Sequence, residues 1–405
     1  LNLARFISQR IQDSDPQSFT NTVRKIAIGS VAVGLAVLII SFAILGGFRN
    51  TIQDKVFSLN GHLQITKFTL NKEYEESPVS TTLQIYQEAQ AIPGVTHIQS
   101  YSLKPALIKT DEEVQGVVLK GVGRDFNEAA FRPNLVEGRL VSSATDTISA
   151  EVVVSRKIAD LLHIRLEDQL WFYFLQNPPR YRKLQVVGIY ETGLEEFDQT
   201  HVLADLKLLQ DLNHWPDTLV GGFELFVSDF SQLPEISDRV FDAMDYDLQL
   251  TRITDRYPQL FDWLSLLRNN VDIFLWLILL VACFNMISTL IIMIMERTNM
   301  IGVFKALGAT NWQVRSFFLF NGIRLILAGL LLGNAMGLGL CAVQYYFRII
   351  PLDAENYFMS FVPIAWNWTI FLLLNLLLFT LTSLVLIIPT VIISRIDPVK
   401  AIRFD

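Results

Sequence analysis

Four stretches of the chain stay apolar for longer than the roughly 20 residues a helix needs to cross a bilayer: residues 26–47, 271–295, 317–345 and 368–393. Between the first two the pattern shortens and begins to alternate. Runs at 63–68, 95–100, 106–110, 114–121, 151–155, 170–175, 184–190 and 223–227 read as strands. Helical spacing recurs at 83–91, 155–162, 204–212 and 233–244, and a helix beginning at Tyr257 is expected to run unbroken through residue 270 into the second span. The fold class expected is therefore a membrane protein of four transmembrane α-helices with a large mixed α/β domain, residues 48–270, between helices 1 and 2.

Small and polar residues punctuate the apolar stretches. Gly329, Gly333 and Gly337 recur every four residues beside Gly339, a ridge that lets another helix approach closely, within this chain or across a dimer seam. Asn285, Asn334 and Asn375 lie mid-span, where hydrogen bonds between helices are expected. Arg324 is placed to snorkel towards headgroups. Cys283 and Cys341 both fall in spans and read as small hydrophobes. Polar residues from Gln9 to Lys25 precede the first span without a small-residue cleavage site, so that span is expected to be kept as an anchor.

Charge sets an orientation. Arg5, Arg10, Arg24 and Lys25 precede span one, Arg297, Lys305 and Arg315 lie between spans two and three, and Arg395, Lys400 and Arg403 follow span four. The 346–367 loop offers Arg348 against Asp353 and Glu355. Basic loops stay inside, which assigns 1–25, 296–316 and 394–405 to the cytoplasm and both termini with them. The 48–270 domain holds 21 Lys and Arg against 32 Asp and Glu, and is expected outside.

The most informative segment joins spans two and three. Met300, Val303, Phe304 and Leu307 fall at i, i+3, i+4 and i+7, one face of a short helix. Thr298 or Asn299 can cap its start and Gly308 can close it in the left-handed conformation. Thr310 with Gln313 carries a capping-box signature for the next helix. The run Glu296-Arg297-Thr298 followed by Ile301-Gly302 and Lys305-Ala306-Leu307-Gly308-Ala309 resembles the coupling-helix signature of FtsX/MacB-like (type VII) ABC transporter permeases. Ala4 to Arg10, Phe48-Arg49-Asn50 and the closing Ser394 to Arg403, with Asp397-Pro398 placed as a helix start, resemble the lipoprotein-releasing (Lol) members.

The resemblance implies a porter-like external domain split by a second subdomain around 125–210. It also implies a cytoplasmic ABC ATPase that docks on Glu296, Arg297, Met300, Ile301, Gly302, Val303, Phe304, Lys305, Ala306, Leu307 and Gly308. It implies a second permease subunit, identical or different, a lipoprotein substrate and a periplasmic carrier. In Lol permeases a hairpin in this position hooks the carrier. Here its counterpart is a basic tip spanning 176–183 with Pro178, Pro179, Arg180, Tyr181 and Arg182, shorter than the carrier-hooking version. Acyl chains would enter between Phe42, Leu45 and Phe48 of span one and Val271, Phe274, Leu275 and Ile278 of span two.

The chain contains no Gly-x-x-x-x-Gly-Lys-[Ser/Thr] loop, Gly-x-Ser-x-Gly or His-Glu-x-x-His motif, and its five His are scattered. No catalytic residue, metal site, bound cofactor or nucleic-acid surface is expected; ATP and Mg belong to the partner ATPase. Two other readings stay open, a MacB-like efflux permease and FtsX-like signalling to a cell-wall hydrolase.

Overall fold

The computed structural model describes residues 19–69, 76–110, 113–143, 147–176, 178–353, 357 and 359–394. The 4–10 and 395–403 motifs lie outside the described residues. The chain divides into a membrane unit, 1–49, 263–351 and 361–405, and an α/β unit, 50–262 and 352–360.

Four helices in the described residues are long and apolar enough to cross a membrane. They are α1 (Phe19–Asn60), α9 (Pro258–Glu296), α11 (Asn311–Phe347) and α12 (Trp368–Val385), the last continued by α13 (Ile387–Ser394). The break at Leu386 has a local cause. Pro389 brings no N–H and its ring crowds the carbonyl four residues back, at Val385. Helices α1, α9 and α11 outrun the apolar stretches that announced them, and α9 is the single helix expected from Tyr257 onward.

In the membrane unit the glycine ridge of α11 packs against α1. A Cβ on Gly329 would stand 2.8 Å from Val31, one on Gly333 2.7 Å from the Ala32 carbonyl oxygen, and one on Gly337 3.0 Å from Ala36 Cα. The ridge thus serves packing within the chain. Asn334 and Asn375 exchange side-chain hydrogen bonds of 2.7 and 3.0 Å between α11 and α12. Such bonds in lipid are worth about 0.6–2 kcal/mol. Cys341 is buried in this apolar cluster. At the opposite end from α10 (Thr298–Ala306), the chain after α11 is stitched down. Gln344 bonds the backbone of Ile350 and Val362, and Ala365 N–H donates to the Ala43 carbonyl at 2.9 Å. Tyr345, Trp366, Trp368 and Phe371 cluster there, as aromatics do at a bilayer edge.

The α/β unit is built on one ten-stranded sheet. Its first part is antiparallel. β12 (Leu248–Arg252), β1 (Leu63–Lys67), β11 (Gly222–Val227) and the first half of β3 (Val95–Lys109) lie side by side. Helices α2 (Gln84–Glu88) and α7 (Leu233–Asp242) bury Ile85, Leu233, Ile236 and Val240 against them.

The second half of β3 enters a different structure. It pairs with β4 (Val114–Val122), which pairs with β9 (His201–Asp205), then β6 (Glu151–Ser155), β8 (Arg180–Tyr190) and β7 (Gln169–Phe174), and β7 returns to β3. Six strands close into a barrel, which removes exposed edges. Inward positions alternate as closure requires: Ala106 and Ile108, Val117 and Leu119, Val152 and Val154, Phe172 and Phe174, Leu184 and Val186, Val202 and Ala204 are buried in one core.

Two sequence expectations change here. The runs at 95–100 and 106–110 form one strand, because Pro105 falls where β3 leaves β11 and has not yet met β7. A missing N–H costs least at such a gap. The helix expected over 204–212 is α6 (Leu206–Asn213), preceded by β9, with Asp205 as its N-cap accepting from Lys207 N–H at 3.2 Å.

Candidate ATPase-coupling site

The α10 helix is fixed at both ends by backbone chemistry. Its start carries no side-chain cap. The Thr298 hydroxyl instead donates back into α9, to the carbonyls of Met295 at 2.7 Å and Ile294 at 3.3 Å, so Thr298 and Asn299 do not cap it as expected. Its end is a Schellman closure. Gly308, at φ +93°, donates to the Lys305 carbonyl, and Ala309 N–H reaches the Phe304 carbonyl at 2.9 Å. Two residues later the capping box is complete: Gln313 N–H donates to Thr310 Oγ1, and the Gln313 side chain accepts from Thr310 N–H at 2.8 Å.

Burial divides the helix differently from its sequence spacing. Ile301 and Gly302 are buried, and Met300, Phe304 and Ala309 pack on the apolar cluster of the membrane unit. Val303, Ala306, Leu307 and Gly308 face outward, Leu307 at 80% exposure. The single apolar face of Met300, Val303, Phe304 and Leu307 is therefore split: half anchors the helix and half is on offer. Glu296 is exposed, with Arg297 and Lys305 partly so. Trp312, 70% exposed in the first turn of α11, is a further exposed apolar side chain of this segment and was not anticipated. A tryptophan on an otherwise polar first turn, between the two residues of the capping box, was the signal.

The hairpin tip is tighter than the sequence implied. Arg180 pairs with Phe174 across the ladder, so Arg180, Tyr181 and Arg182 are strand residues, and 175–179 make the turn; Asn177 is outside the described residues. Pro178 and Pro179 stay in the turn. Arg182 is ion-paired to Asp211 at 3.1 Å and Arg180 bonds the His214 ring. Tyr181 stands exposed beside Trp171, with ring centroids 5.5 Å apart.

The expected acyl-chain wall is largely packed shut in this single chain. Phe42, Leu275 and Ile278 join the membrane unit's core, and Phe48 is buried against Trp263. Leu45 and Val271 are half-buried, while Phe274 is open at 55% exposure. Close helix approach explains this: Gly34 brings α1 to α9, where a Cβ would meet Ile278 at 3.1 Å.

Residues 26–239 match the family model for the MacB-like periplasmic core domain, and 273–398 that for the FtsX-like permease C-terminal region. The chain belongs to the FtsX/MacB-like ABC transporter permeases. Curated relatives align along almost the whole permease. The lipoprotein-releasing system transmembrane protein LolE of Haemophilus influenzae is 23% identical over 99% of both chains. The corresponding LolC of Neisseria meningitidis is 21% identical over 96% of this chain and 95% of that one. Among solved structures, the periplasmic region of MacB from Actinobacillus actinomycetemcomitans covers 49% of this chain and 92% of its own at 10% identity and TM-score 0.35. The extracellular domain of the ABC-type transporter YknZ from Gram-positive bacteria covers 47% of this chain and 99% of its own at 13% identity and TM-score 0.32. The permease is thus a multi-pass membrane protein with its α/β domain on the extracytoplasmic side, and belongs to the class of subunits that are generally non-catalytic.

Proposed function

We propose that this permease converts ATP hydrolysis by a separate cytoplasmic ATPase into release of lipoproteins from the inner membrane towards a periplasmic carrier. The observation that carries the coupling step is the exposed strip of Val303 and Leu307, with Trp312 exposed at the start of the next helix. It is apolar and exposed on a segment clamped by a Schellman closure, a capping box and the buried Ile301. A partner gripping that strip moves α10 as a block, and with it α9 and α11. An apolar helix face entering a groove, rimmed by Arg297 and Lys305, is an established mode of recognition. On this reading both termini and α10 lie in the cytoplasm, which the basic residues flanking the spans support. ATP and Mg then sit on the partner ATPase, and one coupling segment per chain calls for a second permease subunit, identical or different.

The cargo reading is supported by the near full-length similarity to proteins named for lipoprotein release. Burying a lipid chain is worth about 0.8 kcal/mol per CH₂, so emptying an acyl site needs an external energy source of this kind. With the α1–α9 contact closed, the acyl site on this reading opens when the helices shift or when a second permease chain packs beside Phe274.

The test is copurification from gentle detergent, wild type against Leu307→Asp. An ATPase and triacylated lipoprotein retained by wild type, with the ATPase lost from Leu307→Asp, supports the reading. Retention of the ATPase by the variant overturns the docking strip. A copurifying wall hydrolase or periplasmic adaptor in place of lipoprotein overturns the cargo.

A further inference from the structure

We propose that the buried carboxylate of Glu224 is a joint that locks the end of α1 to the start of α9, with Lys120, Gln64 and Arg256 as its positioning residues. All four lie in the α/β unit, which includes residues 50–60 of α1 and 258–262 of α9. The part the joint plays in transport rests on the coupling reading.

Both helices reach the sheet through a bend. α1 stops at Asn60, the chain turns through Gly61 at φ +62°, and β1 begins at Leu63. Any other residue at Gly61 would be strained in that conformation, with its Cβ 3.1 Å from the Leu225 carbonyl oxygen. On the other side β12 gives way to α8 (Ile253–Arg256), and Tyr257 separates α8 from Pro258 at the head of α9. Pairing of β1 with β12 holds the two strands in register. Strand pairing alone does not stop a helix pivoting at its bend; side-chain bonds across the bend do.

Those bonds converge on one carboxylate. The last carbonyls of a helix have no partner within it. Lys120 Nζ donates to the Leu59 carbonyl, and Gln64 Nε2 to the Asn60 carbonyl at 3.4 Å, so the two side chains close the end of α1. A cation at a helix C-terminus is also favourable. The same two donors hold Glu224 Oε1, Lys120 at 2.6 Å and Gln64 at 3.2 Å, while Gln99 holds Oε2 at 2.8 Å. The remaining atom of the Gln64 amide, Oε1, accepts from Arg256 at 3.0 Å. Arg256 ends α8 and also bonds the side chain of Tyr257. Bonds therefore run without a gap from Leu59 through Lys120, Glu224 and Gln64 to Arg256. Lys120, Glu224 and Gln64 are buried, and Arg256 sits at the surface.

Stability alone does not account for a buried ion pair here, because an apolar cluster of similar volume commonly serves it as well. What apolar residues cannot do is fix the direction of a helix end through its carbonyls. With α1 and α9 pinned to one carboxylate, neither can swing at its bend without the other, and a stroke arriving on either helix moves the sheet.

Hydrogen–deuterium exchange on the full permease in nanodiscs tests the joint independently of transport. Arg256→Met breaks the last link and leaves the Lys120–Glu224 pair intact. Amides in 257–263 and in 56–61 should both exchange about tenfold faster, the worth of a charge-assisted hydrogen bond. Arg256→Lys, which keeps a cationic donor, should restore most of that protection. Gln64→Leu, the second variant should Arg256→Met not fold, should loosen the same two segments. The double variant should exchange no faster than Gln64→Leu, because both substitutions break one chain of bonds. Acceleration confined to the segment beside the substitution, or a double variant faster than Gln64→Leu, overturns the joint. In reconstituted membranes Arg256→Met should keep the ATPase and its hydrolysis rate, while lipoprotein released per ATP falls about tenfold. Unchanged release per ATP with both segments loosened overturns the joint's part in the stroke. A wild type that releases no lipoprotein overturns the transport reading instead, and the exchange result still decides the joint.

Discussion

Lys120 and Glu224 meet at 2.6 Å with both side chains withdrawn from solvent. Gln64 and Gln99 donate to the same carboxylate, and Lys120 also reaches the Leu59 carbonyl. Burial pushes the Lys120 ammonium down while Glu224 draws it back up. Removing one partner strands the other's charge. Lys120→Met should therefore destabilise the α/β unit by about 3–5 kcal/mol, and Lys120→Met with Glu224→Leu should recover only part of that, since it removes the stranded charge but leaves the buried Gln64 and Gln99 amides without their acceptor. Thermal unfolding of the two variants checks it. Two histidines give a pH signature. His62, wedged among Phe57, Phe226 and Phe230, and His201 are each lowered to about 4 by burial, His201 further by Lys120 and Arg256. An unfolded histidine titrates near 6.5, so on acidification the unfolded chain takes protons first. The stabilisation is complete above pH 6.5 and is lost as pH falls towards 4, by at most about 3 kcal/mol per residue. The unfolding midpoint should drop across that window, and His62→Phe should flatten the drop. None of these partners is legible in sequence, where Lys120 and Glu224 are ordinary charged residues of alternating strands; only the register of β4 against β3 and of β3 against β11 brings them together.

At the scale of elements, periodicity was readable where one segment settles its own fate. The four spans, the capping box at Thr310 and the closing Gly308 depend on neighbours within a few residues. Elements that need distant partners were not readable. β7 closes the barrel by returning to β3 more than 60 residues earlier in the chain, and nothing in the alternation of 170–175 distinguishes that from an open sheet. Nor did the spacing of Met300, Val303, Phe304 and Leu307 say which half of an apolar face would be used inside the chain. The α1–α11 contact makes a direct prediction. Gly333→Val should force those helices apart and lower the unfolding midpoint in detergent, by an overpacking cost of about 1–3 kcal/mol. Gly339→Val, where a Cβ meets nothing within 4 Å, should leave it unchanged. Loss of the capping box in Thr310→Ala should cost about 1 kcal/mol, and, on the coupling reading, should weaken ATPase engagement more than stability because it loosens the clamp on α10.

For the whole molecule, the proposed work cycle depends on two helices that contribute residues to both units: α1, 42 residues long, and α9, 39 residues long. An unbroken helix transmits displacement and torque along its axis, because every turn is tied to the next by backbone hydrogen bonds. A flexible joint would dissipate them. On the proposed function, the cytoplasmic stroke enters at Val303, Leu307 and Trp312, passes into α9 through the Thr298 hydroxyl bonds and the buried Ile301, and leaves along α9. Inserting Gly-Gly after Asp262, where the two units meet in the chain, should then separate the two halves of the cycle. The ATPase should still copurify and still hydrolyse ATP, because α10 is untouched, while lipoprotein release from reconstituted membranes should fall at least tenfold. Leu307→Asp should give the complementary pattern, losing the ATPase itself. Were the Gly-Gly insertion to release lipoprotein at the wild-type rate with its α/β unit folded, force transmission along α9 would be ruled out, and the stroke would have to pass along α1 or act within the membrane unit alone.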